Sequence, residues 1–217
     1  MLHFHLVTLF PESIEPYLKS SILGRALEKK LIKVSYYDPK HFAVGKHRRV
    51  DQRPYGGGPG MILEPTAVLK AADKALKNKR GVTKIFFATD GVLFSEQMAQ
   101  RLAKKKDILL IAGRYEGIDE RVPKILRAKK ISVGPYVLTG GELPAAMVID
   151  AVARHIPGVL GKARSLEASR VSSPEVYTRP EVLLWKKKKY RVPKVLLTGH
   201  HAQIDAWKKK RRPGNSI

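Results

Sequence analysis

The sequence predicts an α/β fold followed by a small basic domain, and three observations carry that prediction. Five short apolar runs of strand character alternate with helix-like stretches over the first 160 residues, the pattern of a sheet with helices packed on its faces. A polar, serine-rich stretch, KARSLEASRVSSPEV, then breaks the pattern. The 42 residues from Val176 onward hold 12 Lys or Arg and only two acids, Glu181 and Asp205. The domains expected are residues 1–160, a flexible linker over 161–175, and a compact basic domain over 176–217.

The elements follow in chain order. LHFHLVTL (2–9) reads as a buried strand, with His3 and His5 on one face; no third ligand stands near them in the sequence, so packing is expected rather than a metal. A helix is expected over 13–30, a strand over 33–38 and a helix over 64–77. Between the last two lies KHRRVDQR (46–53) with PYGGGPGM (54–61), a glycine-rich surface loop. Strands at KIFFAT (84–89), DILLIAG (107–113) and KISVG (130–134) alternate with helices over 95–105, 119–130 and 142–155. The last helix starts near Glu142, because Pro144 is tolerated only in a first turn.

The turns after the last two strands hold the small-molecule signal. GRYEGIDERV (113–122) and YVLTGGELPAAMVID (136–150) each lead from a strand through glycines into a helix. At Gly140 and Gly141 positive φ and close backbone approach would offer N–H and C=O groups to a flat ligand such as adenine. Phosphate and dinucleotide chemistry are not supported. PYGGGPGM lacks the Lys-Ser/Thr pair of a P-loop, and Met61 stands where the third glycine of a dinucleotide fingerprint belongs.

Composition bounds the partner. With 42 Lys plus Arg against 19 Asp plus Glu, the formal charge is +23, which suits a polyanion and nucleic acid first. Trp185, Tyr190 and Trp207 lie among KKKKYR and WKKKRR, where aromatic rings either stack on bases or form a small core. The absence of cysteine excludes disulfides, a thiol nucleophile and cysteine-based metal sites. MLHFHLVTLF is neither a signal peptide nor a membrane span, so a cytoplasmic protein without membrane partners is expected.

Five segments occur in one order with matching spacing: PYGGGPGM, GRYEGIDERV, YVLTGGELP, VYTRPEV (176–182) and VPKVLLTGHHAQIDAW (192–207). On these the chain resembles the bacterial tRNA (guanine-N1)-methyltransferases of the SPOUT superfamily, which methylate guanosine at tRNA position 37. The resemblance runs from LFPE (9–12) to Trp207. It implies a deep trefoil knot, a small mostly helical C-terminal domain that binds tRNA, and a homodimer whose active sites draw on both subunits. It also implies S-adenosylmethionine as methyl donor. Related enzymes use magnesium, for which this sequence has no dedicated site.

Carried over residue by residue, the resemblance places the donor pocket at Phe86, Phe87, Ala88 and Thr89, at Gly113 and Glu116, and at Val133, Gly134, Tyr136, Leu138, Gly140, Gly141 and Pro144. Glu116 either accepts from the donor's ammonium or caps the helix after it. Arg154 takes the guanosine-binding cation's place, while Asp150 four residues earlier offers it an ordinary helical ion pair. The family's general base is an acid about twelve residues before the tyrosine of YTRP; here that place is Ser165, and Glu167 is the carboxylate nearest to it. Pro135 stands where the family usually has aspartate. Two other functions stay open: methylation at another RNA site, and RNA binding with catalysis weakened by the altered linker.

Overall fold

The computed structural model describes residues 1–43, 49–160 and 175–210. The chain forms two compact units, Met1–Gly161 and Lys162–Ile217. In the first, strands β1 (Leu2–Val7), β2 (Ile32–Tyr37), β5 (Thr83–Leu93), β6 (Asp107–Ile111) and β7 (Lys129–Ser132) form one sheet in the order β2-β1-β6-β5-β7. Every pairing is parallel. A two-stranded antiparallel ladder, β3 (Asp51–Gln52) with β4 (Ile62–Leu63), frames the glycine-rich loop.

Both faces of the sheet are covered, as a parallel sheet requires. On one face α2 (Ser21–Glu28), α4 (Glu96–Leu102) and α6 (Glu142–Ala153) pack with Phe4, Leu6, Ile108 and Leu110. On the other, α3 (Pro65–Leu76) and α5 (Arg121–Leu126) bury Val7, Leu109 and Ile111. Ile108 through Ile111 are completely buried, which is why DILLI reads as a continuous apolar run rather than an alternating one. α3 carries its own start signal: the Glu64 carboxylate accepts from the N–H groups of Thr66 and Ala67, and Pro65 takes the first helical position.

Three elements differ from expectation. The helix expected over 13–30 is two, α1 (Glu15–Leu18) and α2, because Ser20 is extended and its hydroxyl donates to the Tyr17 carbonyl, replacing a helical bond. The helix expected over 119–130 ends at Leu126. Arg127 is left-handed (φ 50°), and its N–H and that of Ala128 bond to Lys124 and Pro123 in a Schellman closure, freeing Lys129 and Lys130 to begin β7. β5 runs on to Leu93, since its pairing with β7 resumes at Val92 after an irregularity at Phe87.

In the second unit, β8 (Val182–Trp185) and β9 (Lys188–Arg191) form an antiparallel hairpin, followed by a 3-10 turn at Lys194–Leu197 and α7 (His201–Lys210). The hairpin adds a strand pair to the mostly helical domain that was expected. Lys186 and Lys187 both take positive φ, 47° and 65°, so the lysine run supplies the tight primed turn that a two-residue hairpin needs. Among the described residues no helix is long and apolar enough to cross a membrane.

Candidate active site

The middle of β5 and the C-terminal ends of β6 and β7 surround a cavity of about 380 Å³, in the size range of small-molecule sites. Its wall includes Phe86, Phe87, Ala88 and Thr89 from β5, Gly113 and Glu116 after β6, and Val133, Gly134, Tyr136, Leu138, Gly140, Gly141 and Pro144 after β7. The fold therefore brings together every residue the sequence pointed to for the donor. The walls also hold Arg114, which lies in the matched segment GRYEGIDERV, and Asp90, Glu120 and Lys130, which sequence reading did not single out. The signal for Asp90 and Lys130 lay in the pairing of β5 with β7, which is not visible from either strand alone.

The two glycine turns touch. The Gly141 N–H donates to the Gly113 carbonyl at 2.8 Å, and a Cβ on Gly141 would lie 2.6 Å from Ala112 Cα. This corrects one expectation: Gly141 has φ −84°, and Gly140 is not among the positive-φ glycines, so close approach and not a left-handed backbone requires glycine here.

A buried carboxylate secures the same seam. Glu142, 2% exposed, accepts from Thr8 Oγ1 at 2.7 Å and lies 2.9 Å from Arg114 Nε. The Arg114 guanidinium also stacks 4.8 Å from the Phe10 ring centre. Glu142 thus ties the first turn of α6 to the end of β1 and to the turn after β6. Lys130 bridges Glu120 at 2.9 Å and Asp90 at 3.2 Å, and the hydrogen bond to Glu120, foremost, raises its pKa and keeps it cationic at the cavity edge.

Glu116 does not cap α5. Asp119 does that work, accepting from Arg121 N–H at 2.9 Å, and the Arg121 side chain holds the Asp119 carboxyl below its usual pKa. The Glu116 side chain lies against Gly60, and the Glu116 N–H donates to Met61 O at 3.0 Å. PYGGGPGM is thus fastened to the turn that lines the cavity.

One predicted residue lies away from this wall. Arg154 caps the far end of α6, ten residues past Pro144 and therefore about 15 Å along the helix. Asp150, its expected helical partner, accepts from the Tyr17 hydroxyl. Glu167 lies outside the described residues.

The sequence of residues 2–216 matches the profile of the family described as tRNA (Guanine-1)-methyltransferase TrmD. The chain belongs to the tRNA (Guanine-1)-methyltransferase family. Proteins named tRNA (guanine-N(1)-)-methyltransferase resemble it nearly end to end. The one from Caldanaerobacter subterraneus subsp. tengcongensis is 44% identical, over 96% of this chain and 86% of its own. That from Clostridioides difficile is 39% identical over 96% and 91%, and that from Lachnoclostridium phytofermentans 38% over 96% and 86%. The parallel sheet with helices on both faces agrees with the SPOUT α/β fold that membership of the tRNA (Guanine-1)-methyltransferase family implies.

Proposed function

We propose that this chain transfers a methyl group from S-adenosylmethionine to N1 of guanosine at position 37 of tRNA, giving N1-methylguanosine. The observation that carries this reading is the convergence of residues 86–90 of β5 and the turns after β6 and β7 on one cavity, in a tRNA (Guanine-1)-methyltransferase sequence. The residues there suit such a donor. Gly113, Gly140 and Gly141 line the opening without side chains, Phe86 and Phe87 give apolar walls, and the Glu116 carboxylate offers an acceptor for an ammonium. The donor's sulfonium supplies an already activated methyl.

Guanine N1 is protonated at neutral pH, and its lone pair becomes available only when that proton leaves. Glu167 is our choice of base. As the proton departs, negative charge gathers on O6, where the Arg154 guanidinium would stabilise it.

A single chain keeps Arg154 about 15 Å from the cavity, which favours a homodimer with shared sites. α6 supports the same reading: Leu143 and Met147, 58% and 45% exposed, lie on one helical stripe with Arg154. A partner covering that stripe would meet Arg154. The reading includes the trefoil knot, a tRNA-binding role for residues 176–217 and a cytoplasmic location. Magnesium, which keeps most of its waters and needs only one or two carboxylates, would compete at the cavity edge with Lys130 for Asp90 and Glu120.

Nucleoside analysis of tRNA incubated with labelled S-adenosylmethionine should find N1-methylguanosine; label on another atom, or none, overturns the reading. Glu167→Gln should abolish turnover while donor binding stays nearly intact. Mixing inactive Arg154→Ala chains with pocket-defective Glu116→Ala chains should restore activity, because one composite site is then intact. Absence of rescue would put Arg154 and the cavity to work in the same subunit.

A further inference from the structure

At the other end of the sheet, Asp107 supplies the ligand that the sequence around His3 and His5 lacks. β1 and β6 pair with His3 opposite Asp107, so the acid, about a hundred residues away in sequence, stands beside both imidazoles. One ligand atom from each of His3, His5 and Asp107 comes within 4.8 Å of the other two. This corrects the expectation that the histidines have no third partner.

The orientation is specific. His5 Nε2 is 2.8 Å and His3 Nδ1 3.9 Å from the same Asp107 Oδ1. The opposite ring nitrogens are held by β2 hydroxyls: His5 Nδ1 is 3.1 Å from Tyr37 OH, and His3 Nε2 is 2.8 Å from Ser35 Oγ. Each imidazole thus turns one nitrogen toward a common point and has the other fixed by a neighbour. That is how outer partners set the tautomer and aim of metal-binding histidines.

Burial, first among the causes, holds the His3 pKa down at about 4 and lowers that of His5. The charged groups facing the cluster are Lys33 and Lys79, which oppose ions held by charge alone. Two imidazoles and one carboxylate instead suit borderline ions that bind nitrogen well. Zinc bonds of about 2.0–2.1 Å need ligand atoms roughly 3.4 Å apart, within reach of small ring rotations.

We propose that His3 Nδ1, His5 Nε2 and an Asp107 carboxylate oxygen bind one borderline divalent ion, with Zn²⁺ as the representative, clipping β1 to β6. Asp107 is six residues, about 20 Å, before the cavity turn at Gly113, so this site is separate from methyl transfer.

The test uses the full chain stripped of metal with a chelator, then titrated with Zn²⁺ by calorimetry and with Co²⁺ by visible absorption. One Zn²⁺ per chain should bind, with the visible bands of four-coordinate Co²⁺. His3→Gln and Asp107→Asn should each abolish that stoichiometric step. Ser35→Ala should weaken it about tenfold. The step should survive His200→Ala with His201→Ala. His5 is fully buried and is left intact, and unchanged circular dichroism certifies that each variant is folded. No stoichiometric binding by the wild-type chain, binding unchanged in His3→Gln and Asp107→Asn, or loss only with His200 and His201 would each overturn the proposal.

Discussion

At the cavity the chain approaches itself through backbone, with Gly141 against Gly113 and a buried Glu142 behind them. In residues 175–210 the chemistry faces outward on side chains. Trp185 is 62% exposed, Leu184 63% and Tyr190 54%, amid four consecutive lysines. The first region is closely packed and leaves no room for a side chain at Gly140 or Gly141. The second presents charge and flat rings, which suit a long polyanion and tolerate piecemeal loss. Trp207 differs from Trp185: its ring lies 6.2 Å from that of Tyr177 and is half-buried, whereas Trp185 is open to solvent.

The largest effect that would break this contrast is expected from Glu142→Ala. It strands Arg114 and Thr8, and should cost about 3 kcal/mol in chemical denaturation, the low end for a buried pair because Arg114 is 25% exposed. Gly141→Ala follows: overpacking against Ala112 should cost about 1–3 kcal/mol, and calorimetry should show donor affinity falling with it. In the basic unit, Trp185→Ala should weaken tRNA binding by about 1–3 kcal/mol while donor affinity holds; a parallel loss of donor binding would erase the distinction.

Lys188→Ala should act more weakly, reducing the slope of log affinity against log salt by about 1. The smallest effect concerns Asp119, whose carboxyl is held below its ordinary pKa by Arg121. A depressed carboxylate stabilises above its unfolded pKa, and that contribution disappears as pH falls through the folded value. Thermal melts of wild type and Asp119→Asn should therefore differ by under about 1 kcal/mol at pH 6 and converge as the pH falls below 3.8, a small effect since the pair is largely at the surface.

What was legible in the sequence was local. The β1 and β6 runs, the start of α6 at Glu142 and the cavity-lining turns follow from apolar patterning, proline and glycine, which act within a few residues. What escaped depended on partners distant in the chain. Asp107 is opposite His3 only because β1 and β6 are neighbours, and Lys130 meets Asp90 only through the register of β5 and β7. The reason for Gly141 also lies elsewhere: spacing suggested an unusual torsion, whereas the crowding comes from Ala112. The hairpin of the second unit was hidden because lysines, poor primed-turn residues, occupy its corner.

The Gly141 to Gly113 hydrogen bond has a consequence in time. Its amide proton sits between two turns that are anchored to the buried ends of β6 and α6, so exchange with solvent there requires parting the core and should be among the slowest in the chain. The seam would then act as a rigid inner wall toward any ligand of the cavity, whose residence should depend more on its own contacts and on the outer residues 135–139, where Val137 is 84% exposed.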